Sequence, residues 1–389
     1  MQVVVIGAGQ AGLSAAYHLA RRGLRPGTDF VVLDANEGPG GAWRHRWDTL
    51  TFGTAHALHD LPGLPLGTPD PSEPASAVVA RYYGQFEDHV GLAVVRPVRV
   101  AAITRTGTTT VPSHGWSTPA GRPTDGLLVR ATDGRVWTAQ AVVNATGTWD
   151  RPYWPAYPGR AGFGGRQVHT HDFTDATDFA GERVLVVGGG TSAVQFLLQL
   201  DAAGASTVWS TRRAPDWTST AFDAEWGRGV EDRVNARTLA GLPPRSVVSE
   251  TGLPLTGQYR SGIDAGVLVS RGPLRRLVPG GAVFADGTTA ELDTVLWATG
   301  FRASLGHLSP LRLREPGGGI RMAADSVTVV REPRLFLVGY GASASTLGAT
   351  RAGRAAALAA LRSIQAPASE APASEASRPA RAREALALG

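Results

Sequence analysis

Cysteine is absent from all 389 residues. The chain therefore has no disulfide, no thiolate metal site and no Cys-x-x-Cys redox pair. Lysine is absent too, so the 38 basic residues other than histidine are all arginine. They are scattered singly or in pairs such as Arg21-Arg22, Arg212-Arg213 and Arg275-Arg276. With no basic run or stripe, the net charge of +5 does not point to a nucleic-acid partner. Long apolar runs are missing as well: Gly, Arg, Asp or Pro interrupts every candidate before the ~18 to 20 residues needed to span a bilayer. Met1-Gln2 leads directly into Val3-Val4-Val5-Ile6, which leaves no charged n-region for a secretory signal. The expectation is a cytoplasmic protein with no membrane partner.

The length and the 43% hydrophobic content suit two or three globular domains. Two segments share one pattern, Val3 to Leu33 and Val184 to Ser210. Each runs from a short β-branched stretch through glycines into an Ala/Leu-rich helix-like stretch and on to a second apolar run, which reads as a βαβ unit. More than a hundred residues separate the two, so an α/β fold with two Rossmann-like dinucleotide-binding domains is expected. Further strands are predicted at Val94 to Ile103, Leu127 to Ala131 and Ala141 to Ala145. The proline-rich segment Arg151 to Gly159 marks a domain crossing. The apolar runs Thr294 to Ala298 and Leu335 to Val338 predict a return near residue 290, so that the second domain is inserted in the first. The divisions drawn are 1–157 with 291–363, then 158–290, and a disordered Ala/Pro/Ser/Glu tail over 364–389 that repeats Ala-Pro-Ala-Ser-Glu.

Gly7-Ala8-Gly9-Gln10-Ala11-Gly12 is a G-x-G-x-x-G loop between a strand and a helix, which is the setting that binds a pyrophosphate. Gly7 permits the tight turn, Gly9 lets the backbone approach the anion, and Gly12 lets helix and sheet pack closely. Asp34 ends the next strand, where a carboxylate suits an unphosphorylated ribose. The second loop, Gly188-Gly189-Gly190-Thr191-Ser192-Ala193, repeats the arrangement, but its second strand ends in Arg212-Arg213 with no acid. A guanidinium pair there favours a 2′-phosphate and hence NADPH over NADH, the alternative being a solvated pair at a strand end.

Phe163-Gly164-Gly165-Arg166-Gln167-Val168-His169-Thr170-His171-Asp172-Phe173 resembles the F-x-G-x-x-x-H-x-x-x-(Y/F) fingerprint of class B flavin monooxygenases. The resemblance extends to about residue 360 and includes Gly40-Gly41-Ala42-Trp43, Ala145-Thr146-Gly147 and Ala298-Thr299-Gly300-Phe301. Within that family the chain is most similar to a bacterial branch associated with arsenic-resistance operons, on Ala145 to Pro152, Phe301 to Leu308 and Val338 to Gly341. The resemblance implies FAD and NADPH as cofactors, with O2 and a small molecule as co-substrates. By the same resemblance, FAD would be reduced by NADPH, form a C4a-(hydro)peroxide with O2, and pass one oxygen atom to a soft sulfur, nitrogen or trivalent arsenic centre.

The cofactor-binding set expected from loops and resemblance is Gly7, Gly9, Gln10, Gly12, Asp34, Gly41, Trp43, Val98, Ala145, Thr146, Gly147, Gly188, Gly190, Thr191, Ser192, Arg212, Arg213, Thr299 and Gly300. The fingerprint positions Phe163, Gly165, His169 and Phe173 stand beside it, with His169 open to a structural or a chemical role. No catalytic side chain and no metal is assigned. The fingerprint ends Phe173-Thr174-Asp175 without the Trp of ketone-oxygenating members, and Leu50 to Ala55 lacks the Asn of animal members. Two other readings stay open: a Cys-free flavin reductase passing electrons to a partner, and a non-catalytic flavin sensor.

Overall fold

A computed structural model of the chain describes residues 1–55, 58–106, 126–219, 224–244, 252–344 and 346–365. Its centre is a six-stranded sheet ordered Thr328–Val329, Glu332–Leu337, Ala141–Asn144, Val3–Ile6, Phe30–Leu33 and Val94–Val95. All its pairings are parallel except the one between Thr328–Val329 and Glu332–Leu337. Every residue of Val3–Ile6, Phe30–Leu33 and Ala141–Asn144 is buried, as strands covered on both faces must be, and their near-continuous Val/Ile/Leu content supplies that. One face packs on the helices Gln10–Arg21 and Thr346–Gln365, burying Leu13, Leu19, Ala356 and Ala360. These helices approach closely: a Cβ on Gly353 would lie 2.4 Å from the Ala11 carbonyl oxygen. The other face packs on an antiparallel three-stranded sheet of Val100–Arg105, Leu127–Ala131 and Val136–Ala139.

The second parallel sheet is ordered Ser206–Ser210, Arg183–Val187, Thr294–Trp297 and Arg166–His169. The helix Thr191–Ala202 covers it with Val194, Phe196, Leu197 and Leu200. A small antiparallel sheet of Leu274–Val278, Gly281–Phe284 and Thr289–Glu291 packs Leu274, Leu277 and Phe284 against Leu185 and Trp297. The second sheet is inserted in the first, whose strands come from both sides of it in sequence.

Three expectations are corrected. Thr294–Trp297 lies in the second sheet, hydrogen-bonded between Arg183–Val187 and Arg166–His169, so the return falls after Ala298 and not near 290. The run Val94 to Ile103 is two strands in two sheets, because Pro97 removes a backbone donor and breaks the ladder. The last helix runs to Gln365, two residues past the predicted start of the tail, and 366–389 lie outside the described residues.

Candidate functional site

Both parallel sheets end in the same device. At Gly7 the backbone takes φ +101°, and a Cβ would lie 2.4 Å from the Ala145 carbonyl oxygen. At Gly188 φ is +151°, and a Cβ would lie 2.1 Å from the Ala298 carbonyl oxygen. In each sheet the glycine turn is thus pressed against the end of a neighbouring strand that closes in Ala-Thr-Gly. Gly12 sits under the first turn, where a Cβ would be 1.8 Å from the Gly7 carbonyl oxygen; Ala193, fully buried, holds the corresponding position in the second loop. Gly9 and Gly190 behave differently, since a Cβ on either meets nothing within 4 Å. They are also the N-caps of Gln10–Arg21 and Thr191–Ala202, with no capping side chain and no acid in the first turn. Two uncapped helix N-termini, each opening past a bare glycine, are ready-made seats for phosphate groups.

The first seat belongs to a cleft of about 330 Å³ lined by Gly7, Gly9, Gln10, Asp34, Gly41, Trp43, Val98, Ala145, Thr146 and Gly147. Ten of the sequence-selected residues therefore converge there, drawn from five separate stretches of chain. Gly41 closes against the loop, a Cβ on it falling 2.8 Å from the Gly9 Cα. Asp34 is buried and accepts from Arg96 Nε at 3.0 Å and from Asn36 Nδ2 at 3.3 Å. Arg96 in turn grips Glu87 through both terminal nitrogens, at 2.7 and 2.6 Å. The carboxylate is held rigidly by a buried cation, a geometry in which each partner offsets the other's desolvation.

Beside it runs a directed hydrogen-bond chain. His307 Nε2 donates to Asn144 Oδ1 at 2.6 Å, Asn144 Nδ2 donates to Thr146 Oγ1 at 3.1 Å, and Thr146 donates to the Ser304 carbonyl at 2.8 Å. Because Asn144 Oδ1 can only accept, His307 carries its proton on Nε2. Burial pushes its pKa down to about 4, so the ring is neutral at pH 7. His307 and Ser304 line the cleft.

Arg212 and Arg213 line a second cleft of about 410 Å³ with Thr211, Trp217, Val269 and Ser270. It adjoins the second loop, since a Cβ on Gly189 would lie 3.8 Å from Thr211 Cγ2. Gly188, Gly190, Thr191 and Ser192 form that loop and the helix start without lining this cleft, and Thr299 and Gly300 lie at the chain crossing. There Tyr153 N–H donates to the Gly300 carbonyl at 2.9 Å, Arg302 N–H to the Arg151 carbonyl at 2.8 Å, and the Thr299 hydroxyl to the Tyr153 carbonyl.

The fingerprint residues line neither cleft. Phe163 and Phe173 are core residues of the second sheet, and Gly165 passes where a Cβ would be 2.2 Å from the Asp293 carbonyl oxygen. His169 is fully buried against Trp154 and Phe301 at ring distances of 5.4 and 5.2 Å. Its Nδ1 accepts from the His171 N–H at 3.0 Å, and burial pulls its pKa down to about 4. It sits between the two crossing segments, and its buried Nε2 has no hydrogen-bond partner among the described residues.

Sequence inspection missed Arg96, Glu87, Asn144, Ser304, His307 and Arg46. None belongs to a glycine loop, and their relation to the loops is set by pairing across 50 or more residues in the cases of Arg96 with Asp34 and His307 with Asn144.

Two uncapped phosphate seats on two parallel sheets, one with an acid and one with an arginine pair, define a two-dinucleotide oxidoreductase. Residues 1–360 match the family described as pyridine nucleotide-disulphide oxidoreductase, and the chain belongs to that family. A flavin-containing monooxygenase from Stenotrophomonas maltophilia is 34% identical and superposes with a TM-score of 0.73, over 93% of this chain and 98% of the other. A rice (Oryza sativa subsp. japonica) protein named indole-3-pyruvate monooxygenase is 27% identical over 78% of this chain and 77% of its own length. A trimethylamine monooxygenase from a Roseovarius strain is 25% identical over 87% and 69%. The chain is an oxidoreductase of the flavin monooxygenase kind, whose cofactors are FAD and NADPH. The disulphide chemistry in the family's description has no dithiol to run on here, since cysteine is absent. No helix among the described residues is long and apolar enough to cross a membrane.

Proposed function

We propose that this protein is a cytoplasmic NADPH-dependent FAD monooxygenase that transfers one atom of O2 to a soft nucleophilic centre of a small molecule. NADPH, a proton, O2 and the acceptor are converted to NADP+, water and the oxygenated acceptor. The supporting observation is the pair of matched seats: bare Gly9 with the held carboxylate of Asp34 for FAD, and bare Gly190 beside Arg212 and Arg213 for NADPH.

The bound flavin supplies hydride acceptance and oxygen activation. The chain's own residues do the rest. Gly7, Gly9, Gln10 and Gly41 bring backbone up to the FAD pyrophosphate, and Asp34 accepts from its ribose. Ala145, Thr146, Gly147, Val98 and Trp43 wall the cofactor, and Arg212 and Arg213 take the 2′-phosphate. Thr299 and Gly300 tie the two crossings. Residues 158–298 form the NADPH unit in this reading.

The relative named for trimethylamine supports a nucleophilic acceptor, the one named for indole-3-pyruvate points instead to an electrophilic carbonyl, and the arsenic-operon resemblance adds trivalent arsenic to the nucleophiles. The test is anaerobic reduction by NADPH followed by rapid mixing with aerated buffer. A transient band near ~370 nm before the oxidised spectrum returns is expected. Direct reoxidation with no transient would favour electron transfer, and purification without flavin would remove the reading altogether.

A further inference from the structure

Arg46 follows the short helical turn Gly41–His45 and lines the first cleft. Its guanidinium lies 4.6 Å from the ring centre of Trp149 and 5.8 Å from that of Trp43. Trp149 is itself fixed by stacking with Phe301 at 5.1 Å and by His45 at 5.9 Å. Among the described residues no carboxylate, carbonyl or hydroxyl accepts from the Arg46 side chain. Other arginines near Asp34 and the cleft are satisfied differently: Arg96, outside the lining, holds Asp34 and Glu87, and Arg99, in the lining, holds Asp150 at 2.9 Å. Burial without a compensating anion draws the Arg46 pKa down to about 10.

A guanidinium offers five donors in a planar fork and loses much hydration on burial. Two aromatic faces replace part of that hydration electrostatically but accept no hydrogen bond in its plane. The fork is therefore held flat by tryptophans with its donors unspent, inside a cleft that carries an uncapped helix N-terminus. We propose that Arg46 is an anion-receiving site that takes a dinucleotide phosphate into its fork, with Trp149 and Trp43 as the platform that orients it. The phosphate belongs either to FAD or to NADPH, and the inference rests on the reading of this cleft as a dinucleotide site.

The test compares the flavin-loaded protein with Arg46→Met, Arg46→Gln and Arg46→Lys. Two affinities are measured: retention of FAD on dilution, followed by flavin fluorescence, and binding of NADP+ to the oxidised holoprotein by calorimetry. Loss of a charge-assisted phosphate contact weakens one of them by roughly tenfold or more in Arg46→Met and Arg46→Gln, with partial recovery in Arg46→Lys. Weakened FAD retention with unchanged NADP+ binding assigns the phosphate to FAD, and the converse assigns it to NADP+. The affected affinity should also lose part of its salt dependence. Both affinities within twofold of the parent in all three variants would overturn the proposal while leaving the flavin reading intact. A parent protein without FAD would instead defeat the flavin reading.

Discussion

Gly9 and Gly12 are three residues apart in one loop and serve different ends. A methyl group at Gly9 meets nothing within 4 Å, whereas one at Gly12 would sit 1.8 Å from a backbone oxygen. Gly9→Ala is therefore expected to purify with little FAD and, compared in the FAD-free state, to melt with the parent, bound FAD being itself stabilising. Gly12→Ala forces helix and strand apart and should cost on the order of 1–3 kcal/mol in denaturant unfolding, as overpacking does. A melting temperature for Gly9→Ala as low as that of Gly12→Ala would refute this division of labour. His307 and His169 supply a pH dependence. Each stays neutral in the fold down to about 4, while the unfolded chain takes up the proton near 6.5. Between those values the unfolded state binds more protons, so the stability present above pH 6.5 is lost progressively as pH falls towards 4, then levels. Urea midpoints at pH 7.5 and 5 should show the fall, and His307→Gln, which keeps a donor for Asn144, should make it smaller.

At the scale of elements, what matters is where a strand or helix ends. Ser206–Ser210 delivers Arg212 and Arg213 to the edge of the second cleft. Replacing both by Gln is expected to raise the KM for NADPH by roughly tenfold or more and leave that for NADH nearly unchanged. An unaltered NADPH/NADH ratio would mean that the pair is merely solvated. The helix Thr346–Gln365 acts through the helix it touches: Gly353 lets it lie on Gln10–Arg21, and Gln10 Nε2 donates to Thr350 Oγ1 at 2.9 Å. Gly353→Val should push the two apart, lowering the melting temperature and FAD content together, as ultraviolet and flavin absorbance would report. Both βαβ units were legible at this scale, because glycine loops flanked by apolar runs are local signals. The strand Val136–Ala139 was not: Val136 is exposed, Thr138 is polar, and only pairing with Leu127–Ala131 makes it a strand.

The whole molecule is two similar halves joined by two crossings, and the crossings meet in a small aromatic cluster. Phe301, on the returning chain, stacks on Trp149 of the outgoing chain and presents an edge to His169 of the fingerprint strand. Phe301→Ala is expected to keep both cofactors yet slow the reduction of bound FAD by NADPH, since the proposed reading puts hydride donor and acceptor on different halves. Stopped-flow reduction at the parent rate would remove this coupling role. Local pattern alone determined the two glycine loops, the acid after one and the arginines after the other, because each depends on a few adjacent residues, and the lack of cysteine across the chain excluded dithiol chemistry. Tertiary structure alone decided that Thr294–Trp297 joins the second sheet, that Arg96, braced by Glu87, holds Asp34, that His307 is neutral, and that Arg46 faces the cleft with no counter-ion among the described residues. Those facts depend on burial and on partners dozens to hundreds of residues away, which strand pairing brings together and spacing along the chain does not record.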